Sequence, residues 1–312
     1  MEVEYPQSAI AYAPATVANL NVGFDILGLA LEHPMERMGI RRLCGTNDVI
    51  IRLPLGSNLP LDPLKNVAGR SALSVLEKAK ADFGIELEIE KTILPGSGIG
   101  SSASSAVAAT VGVNALLTTS LSDQELLACA LDGEQVASGA RHHDNVAPAL
   151  KGGLVFSSPN GEIISLPAPR WHIVILHPQV EVKTAQSRAL LPTSVDLTTV
   201  AQSIGWMGHF IHACHLGDSL TAAQALQDLF IGPARTPLIP KLEECRAAAL
   251  KVGAISGGIS GSGPSSFWIC LDQMVAAQVE NVLVKVMREA DIDCKTYLSE
   301  IASQGAYAVS QS

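Results

Sequence analysis

The sequence predicts an α+β protein built from two domains. Its 312 residues exceed what one hydrophobic core usually organises, which is about 250–300 residues. Strand-like runs and helical patterns are mixed, and the segment Glu86–Glu90 alternates polar and apolar residues. Alternation suits a sheet covered on one face and argues against a doubly wound parallel sheet, whose strands are apolar throughout. A turn-rich break at Ser157–Arg170 marks the boundary, so we predict domains at residues 1–165 and 166–312.

The predicted strands and helices follow from the spacing of apolar residues. Short apolar runs predict strands at Ser8–Ala13, Val49–Leu53, Leu87–Ile93, Leu154–Phe156, His172–Leu176 and Phe267–Leu271. Apolar stripes at helical spacing predict three helices, with stripes of Ala72, Leu76, Ala79 and Phe83; Val200, Ile204, Met207, Ile211 and Cys214; and Val275, Val279, Val282 and Val286. Ser122 and Glu125 form a capping-box pattern, which predicts a fourth helix over Asp123–Ala137.

The composition excludes several classes of protein. Hydrophobic residues make up 47% of the chain and charged residues 16%, so the chain can bury a large core and is not disordered. The net charge of −9 argues against a nucleic-acid partner, although an amide-lined pocket can still bind an anionic substrate. No apolar run approaches the ~20 residues of a membrane span. Residues Met1–Gln7 lack a basic side chain and the six cysteines are scattered, which predicts a cytoplasmic protein with free thiols and no secretory signal.

A glycine–serine loop, Pro95–Ser105, follows a predicted strand and leads into a helix of small residues. Glycines let the backbone approach a ligand closely, and a helix N-terminus offers unpaired N–H groups, so the segment suits a phosphate. The loop lacks the lysine of a Walker A motif, and its G-x-G-x-G spacing after an alternating strand fits a dinucleotide-binding fingerprint poorly. A turn that only permits tight helix packing is the alternative. A second glycine-rich segment, Gly257–Ser265, is either a connector or a second functional loop.

Glu134 falls on the apolar face of the predicted helix Asp123–Ala137, in line with Ala130 and Leu131. A buried carboxylate must be neutral, paired or bound to a cation. Magnesium is one such cation because it prefers hard oxygen ligands. A glutamate that reaches solvent or a backbone partner at the helix end is an equal alternative at this point.

Two further polar clusters differ in what they indicate. The segment Arg141–Pro148 directly precedes Gly152 and a predicted strand, which is typical either of a loop that delivers functional groups or of a solvated connection. His209, His212 and His215 lie three residues apart, so their directions on a helix fan apart over about 120°. That spacing differs from the i, i+4 pairs of zinc-binding helices. We therefore expect surface histidines there and no metal site.

Several of these segments together resemble the homoserine kinases, a family of the GHMP kinase superfamily. The resemblance covers nearly the whole chain and is carried by Ala13–Asp25, Pro95–Ser105 and Ser260–Ser265, with His142–Pro148 as a narrower homoserine kinase segment. It implies an N-terminal domain resembling ribosomal protein S5 and a ferredoxin-like C-terminal domain, with ATP bound between them. It also implies transfer of the ATP γ-phosphate to the hydroxyl of L-homoserine, with Mg²⁺, by an enzyme that is commonly a homodimer.

The resemblance assigns the site residues by position. Asn19, Asp25 and His142 would hold homoserine, and Arg188 and Arg235 would bind its carboxylate, for which a guanidinium offers a planar fork of donors. The nucleotide would lie against Asn66, Pro95, Gly96, Ser97, Gly98, Ile99, Gly100, Ser101, Ser102, Ala103, Ser104 and Ser105. Ser102 and Glu134 would be the magnesium ligands, and Thr184 would lie near the transferring phosphate.

The resemblance also shapes the expected mechanism. Many members of the superfamily place a catalytic Asp where this chain has Asn145, with Asp144 one residue earlier. Because Asn is no carboxylate base, we expect catalysis by positioning and charge stabilisation, with Asn145, Thr184 and Glu134 as the catalytic residues. The chain departs from the family at Asn21, where glycine is usual, and since Asn also tolerates a positive φ we expect a small local effect.

Three other functions compete with this one. Another GHMP kinase would phosphorylate a different alcohol. A dinucleotide-dependent oxidoreductase would bind NAD through the glycine-rich loop. A ligand sensor on the same scaffold would bind ligands without catalysing a reaction. The alternating strand argues against the oxidoreductase. The presence of Glu134, Thr184, Arg188 and Arg235 argues against the sensor.

Overall fold

The computed structural model describes residues 6–139 and 141–311, apart from the side chain of Ser138. Most of the segment Met1–Gln7, on which the expected absence of a secretory signal partly rests, lies outside the described residues. In the part of the chain that is described, the helices are all too short or too polar to cross a lipid bilayer.

The described residues form eleven strands and ten α-helices. The strands are β1 (Ser8–Ala18), β2 (Leu27–Leu43), β3 (Val49–Arg52), β4 (Gly84–Ile89), β5 (Leu154–Ser157), β6 (Ile163–Leu166), β7 (His172–Pro178), β8 (Ser256–Ile259), β9 (Ser266–Cys270), β10 (Cys294–Ser299) and β11 (Tyr307–Gln311). The helices are α1 (Val67–Ala79), α2 (Ser101–Asn114), α3 (Asp123–Ser138), α4 (His143–Lys151), α5 (Thr184–Ala189), α6 (Leu197–Leu216), α7 (Ser219–Gln224), α8 (Ile231–Arg235), α9 (Leu242–Lys251) and α10 (Gln273–Glu289).

Two sheets organise these elements and confirm the α+β class. The seven-stranded sheet has the order β11-β1-β2-β4-β3, with β5 beside β2 and β6 beside β5, and the four-stranded sheet has the order β10-β7-β9-β8. Every pairing among the described strands is antiparallel except that of β3 with β4. Antiparallel sheets tolerate one solvated face, in agreement with the alternation that predicted them.

Helix α2 lies at the centre of the hydrophobic core beside the seven-stranded sheet. It packs against β1, β2, α1, α3 and α4. Its small side chains make this possible: a Cβ on Gly112 would stand 2.2 Å from Cδ1 of Ile40 on β2. The helix is buried almost throughout, which holds its N-terminus, and the loop before it, in a fixed place relative to the sheet.

The domain boundary stays a prediction, but the sheets bear on it. The predicted turn-rich break, Ser157–Arg170, contains strand β6 of the first sheet, which ends at Leu166, and β7 opens the second sheet just after the break, at His172. Strand β11, however, returns to the first sheet and pairs with β1. The last residues described therefore complete the sheet with which the chain begins.

The predicted helical stripes are only partly confirmed. On α6, Cys214 of the predicted stripe is buried as expected, whereas Ile204 is 67% exposed and Phe210, which lies outside the predicted stripe, is buried. The prediction for Ile204 is therefore wrong, because the buried face of α6 lies nearer its C-terminal half. His209, His212 and His215 are exposed, and the described residues contain no cluster of His, Cys, Asp and Glu that could hold a metal ion. The six cysteines are free thiols, as predicted.

Candidate active site

A cavity of about 430 Å³ collects most of the predicted site residues. Its walls come from the loop after β1, the glycine–serine loop, α3, α4, α5, α8 and the loop between β8 and β9. The predicted residues that line it are Asn19, Asp25, Asn66, Pro95, Gly96, Gly98, Gly100, Ser101, Ser102, Ser105, Glu134, His142, Asn145, Thr184, Arg188 and Arg235. Four members of the loop, Ser97, Ile99, Ala103 and Ser104, are buried outside this lining.

The glycines of the loop are required by its shape. Gly96, Gly98 and Gly100 have φ values of 72°, 83° and 72°, which side-chain-bearing residues rarely adopt. A Cβ on Gly98 would stand 2.5 Å from the carbonyl oxygen of Gly263, and one on Gly100 would stand 2.0 Å from Oγ1 of Thr16. The two glycine-rich loops therefore touch. Gly100 is the N-cap of α2, so the unpaired N–H groups of that helix begin at the cavity.

The serine hydroxyls of the loop have different partners. Ser101 Oγ donates to the carbonyl of Ile93 at 2.8 Å, and Ser104 Oγ donates to the carbonyl of Pro14 at 2.7 Å. These hydroxyls fasten the helix to its surroundings. Ser102 instead hydrogen-bonds the carboxyl of Glu134, its predicted partner as a magnesium ligand.

Glu134 on α3 is buried, with 6% of its surface exposed. The alternative in which this side chain reaches solvent is therefore wrong. Burial raises the pKa of Glu134 to about 7, the hydrogen bond from Ser102 opposes that shift, and the charge of Asp144 adds to it. The hydroxyl of Ser102 and the carboxyl of Glu134 offer two oxygen ligands, which suit a hard divalent cation. The charge of such a cation would offset the cost of burying the ionised carboxylate.

Asp25 and Arg188 form a two-pronged ion pair across the cavity. Nη1 of Arg188 donates to Oδ2 of Asp25 at 3.1 Å, and Nη2 donates to Oδ1 at 2.8 Å. Nη2 also lies 3.3 Å from Nε2 of His142. Burial lowers the pKa of His142, and the charge of Arg188 lowers it further. Because the imidazole of His142 is then neutral, the full charges at this place are the carboxylate of Asp25 and the guanidinium of Arg188.

The carbonyl oxygen of Gly261 joins two other predicted substrate residues. It accepts a hydrogen bond from Nδ2 of Asn19 at 3.0 Å and one from Nη1 of Arg235 at 2.8 Å. Oδ1 of Asn19 in turn accepts from the backbone N–H of Asp25 at 2.9 Å. Arg235 is 2% exposed, and its Nε has no hydrogen-bond partner among the described residues. This guanidinium therefore retains donor capacity for a ligand.

Asn145 and Asp144 lie side by side at the start of α4. Oγ1 of Thr16 donates to Oδ1 of Asn145 at 2.7 Å, so the group that Asn145 can offer the cavity is its amide N–H₂, a donor. Asp144 is buried, Oδ1 of its carboxyl has no hydrogen-bond partner among the described residues, and burial together with the charge of Asp25 raises its pKa to about 7.

Thr184 and Asn66 lie at the starts of two helices. Thr184 is the first residue of α5, four residues before Arg188, so the two share one face of that helix. Asn66 is the N-cap of α1: its Oδ1 accepts from the N–H of Gly69 at 3.2 Å, and its Nδ2 donates to the carbonyl of Pro60 at 2.8 Å.

Lys91 and Glu36 are site residues that the sequence analysis missed. Nζ of Lys91, which lines the cavity, donates to Oε1 of Glu36 at 2.8 Å, to the carbonyl of Ser101 at 3.1 Å and to Oγ of Ser105 at 2.9 Å. Oε2 of Glu36 accepts from the N–H of Ile93 at 3.1 Å. This ion pair therefore holds the glycine–serine loop at both ends. Burial lowers the pKa of Lys91, and Glu36 opposes that shift.

Comparison with known proteins adds to this geometry. Residues 66–153 match the model of the GHMP kinase N-terminal domain, and residues 201–289 match that of the GHMP kinase C-terminal domain. The chain is 36% identical over 306 residues to a homoserine kinase of Xanthomonas campestris, with 96% of this chain and 94% of that protein covered. A homoserine kinase of Xylella fastidiosa is also 36% identical, over 301 residues, with 96% and 93% covered. The crystal structure of a homoserine kinase from Cytophaga hutchinsonii superimposes with a TM-score of 0.94 at 35% identity, covering 99% of both chains.

Proposed function

The chain belongs to the GHMP kinase family, within it to the homoserine kinases, and on that premise we propose which of its residues carry the reaction. It is an ATP-dependent kinase of threonine biosynthesis that phosphorylates the hydroxyl of homoserine. The observation that carries the assignment of residues is the shared cavity. One wall is a glycine-rich helix N-terminus suited to phosphates, and the other presents a carboxylate and two guanidinium groups.

The second wall fits an amino acid better than a neutral alcohol. Asp25 would pair with the ammonium of homoserine, while Arg188 and Arg235 would bind its carboxylate. The ion pair between Asp25 and Arg188 would open to admit the zwitterion, whose two charges replace the partners that each side chain loses. Asn19 and His142 would complete the pocket. An acceptor such as mevalonate or galactose, which lacks an ammonium group, would leave Asp25 without that partner.

The first wall would hold ATP and Mg²⁺. The backbone N–H groups at the start of α2 would receive the phosphates, and Asn66 would lie near the adenine. Ser102 and Glu134 would bind Mg²⁺, which when present supplies positive charge for the phosphate oxygens. Glu134 would then be ionised at neutral pH, because the cation favours its charged form.

The residues around the acceptor would act by position and charge. Asn145, whose oxygen is engaged by Thr16, would donate from its amide toward the transferring group and would not accept a proton. Thr184 would lie beside the same group. A loose phosphoryl-transfer transition state needs little activation of the attacking hydroxyl, so alignment and charge stabilisation suffice.

The substrate is tested by measuring ATP consumption by the purified protein with homoserine, mevalonate, galactose and shikimate. We expect turnover with homoserine, whereas turnover with a non-amino-acid alone would exclude this substrate. For the mechanism, Asp144→Asn is expected to retain chemistry and Asn145→Asp is expected not to accelerate it. If Asp144→Asn abolished turnover without weakening binding, Asp144 would be the base and the base-free mechanism would be wrong.

Assembly and location are further proposals. We propose a homodimer, from the resemblance to dimeric family members, and a cytoplasmic site of action, since both substrates are metabolites of that compartment. Sedimentation of the purified protein at micromolar concentration tests the first, with a single species of monomer mass as the contrary result. Fractionation of cells tests the second, with recovery of the protein outside the cytoplasmic fraction as the contrary result.

A further inference from the structure

Asn21 links the loop that carries Asn19 and Asp25 to two segments from the far end of the chain. Its Nδ2 donates to the carbonyl of Leu226 at 2.9 Å and to that of Gly257 at 3.3 Å, across 205 and 236 residues of sequence. Its φ is 63°, which Asn tolerates better than most residues. These contacts reach beyond the local surroundings in which an effect was expected, and a glycine cannot make them.

Both contacted segments lead directly to the substrate pocket. Shortly after Leu226, the carboxylate of Asp228 accepts hydrogen bonds from the first N–H groups of α8, the helix that ends at Arg235. Gly257 lies on β8, and the chain continues from there to Gly261, whose carbonyl binds both Asn19 and Arg235. Asn21, which lies outside the cavity lining, thus holds the segments that lead to Arg235 and Gly261. Within the cavity, the carbonyl of Gly261 accepts from Asn19 and Arg235.

The amide of Asn21 also fills a space that the next residue of β8 leaves open. A Cβ on Gly258 would stand 1.9 Å from Oδ1 of Asn21, and the three atoms nearest to that Cβ all belong to Asn21. Oδ1 therefore packs against the backbone of Gly258 while Nδ2 donates to the neighbouring carbonyls. Asn21 and Gly258 are therefore complementary in shape, because any larger residue at position 258 would clash with the amide of Asn21.

We infer that Asn21 is a positioning residue for homoserine, which fixes the distance between Asp25 on one side of the pocket and Arg235 on the other. We expect the effect mainly on the acceptor, because the segments that Asn21 contacts lead to Arg235 and to Gly261, whose carbonyl accepts from both Asn19 and Arg235. The inference rests on the proposed roles of Asn19, Asp25 and Arg235. Turnover of homoserine by the wild-type protein checks the proposed acceptor separately from this inference.

The first test compares Asn21→Gly and Asn21→Asp with the wild type. Glycine keeps the backbone conformation and removes both hydrogen bonds, so we expect the KM for homoserine to rise about 5-fold to 10-fold, with the KM for ATP changed by less than about 2-fold. Aspartate has the same shape but places a carboxylate against two carbonyl oxygens, so its KM for homoserine should rise further. Equal changes in both KM values, or no change in either, would overturn the inference.

Lys80→Gly is the matched control. Lys80 also has a positive φ, 51°, but it lies at the C-cap of α1 and outside the cavity lining. The same type of replacement there should leave both KM values unchanged, which separates loss of the side chain of Asn21 from a general effect of added backbone freedom.

A double-mutant cycle with Gly258→Ala tests the contact itself. In the wild-type background the new methyl group must displace Asn21, so the KM for homoserine should rise at least as much as in Asn21→Gly. In the Asn21→Gly background the space is open, and the added effect should be less than about 2-fold. Equal effects of Gly258→Ala in the two backgrounds would show that the contact does not position the pocket. If Gly258→Ala alone fails to fold, the comparison of Asn21→Gly with Lys80→Gly decides the question.

Discussion

Arg188 makes a two-pronged pair with Asp25 in the cavity. In the substrate complex this pair would open and Arg188 would present the same fork to the carboxylate of homoserine. Lysine carries the same charge but lacks the planar fork, so it would make one hydrogen bond fewer to that carboxylate. We expect Arg188→Lys to raise the KM for homoserine on the order of 10-fold, which corresponds to one charged hydrogen bond, while the KM for ATP stays unchanged. Steady-state kinetics check this. Arg52→Lys, at an exposed pair with Glu86, is the control and should change neither constant.

Asp144 should make the ligand-free protein less stable at neutral pH than at acidic pH. Its folded-state pKa, about 7, lies above its ordinary value of 3.8. Between those values the folded protein retains a proton that the unfolded chain releases, so the free energy of unfolding falls as pH rises and the loss is complete above about 7. Asp144→Asn removes this effect and should stabilise the protein by about 1–3 kcal/mol at pH 8 and by little at pH 4.

Urea unfolding without nucleotide at the two pH values measures this difference. The exposed Asp82 supplies the control, since Asp82→Asn should shift stability equally at both. A gain from Asp144→Asn that is the same at pH 4 and pH 8 would contradict the proposed cause.

Most residues of the cavity could be predicted because they sit in short motifs. The Asn19–Asp25 and Pro95–Ser105 segments carry their signal within a dozen neighbouring residues. Glu36 and Lys91 could not be predicted in this way. Glu36 falls on the buried face of β2, in line with Met38 and Ile40, but this strand was not itself predicted. Lys91 lies just beyond β4, and its partnership with Glu36 depends on a contact across 55 residues of sequence, which no local pattern reveals.

The glycine–serine loop depends on close contact with the loop between β8 and β9. A Cβ on Gly98 would meet the carbonyl of Gly263 at 2.5 Å, whereas nothing lies within 4 Å of one on Gly96, although both residues have positive φ. Gly98→Ala should therefore separate the two loops and lower kcat/KM for ATP by at least about 10-fold. Gly96→Ala adds backbone strain of only about 1–2 kcal/mol and should reduce it much less. Equal losses would show that strain, and not the contact, governs the loop.

The pair of Glu36 and Lys91 should stabilise this loop and the fold together. Their side chains are 0% and 11% exposed, so Glu36→Gln leaves a buried ammonium without its counter-charge, at a cost of about 3–5 kcal/mol. Thermal or urea unfolding measures this loss, and the KM for ATP should rise as the loop loosens. The exposed pair of Lys285 and Glu289 is the control, where Lys285→Gln should cost less than about 1 kcal/mol. A similar cost at both places would mean that Glu36 is not an anchor.

At the level of elements, the alternating strands and the capping box of α3 were confirmed, and long-range features were missed. β2, 17 residues long, escaped prediction because Pro34 and several charged residues interrupt its pattern. In the second glycine-rich segment, Gly257 and Gly258 belong to β8 and not to a loop. Glycine there reflects the approach of Trp268 and Asn21, which only the folded chain brings together.

The whole molecule depends on its last strand. β11 pairs with β1 from Tyr307↔Tyr12 to Gln311↔Ser8, and the two tyrosine rings stack with centroids 5.2 Å apart. A chain ending at Ala306 should lose a few kcal/mol of unfolding free energy, since several hydrogen bonds of β1 are left without partners. A chain ending at Ser310 keeps four of the five pairs and should lose less than half as much. Urea unfolding of both decides it, and equal stability of the two chains would mean that β11 is dispensable.

The place of β11 has a consequence during synthesis. Ribosomes make β1 before the other described strands, yet the strand that pairs with its outer edge, β11, is made only after almost the whole of the described chain. Throughout that interval the nascent first domain presents an open strand edge, a template for unwanted pairing with other chains. The seven-stranded sheet therefore cannot be completed until the residues of β11, which follow the second sheet in the sequence, have been synthesised. A chaperone that shields this edge would raise the yield of native protein more than one that acts on the second sheet.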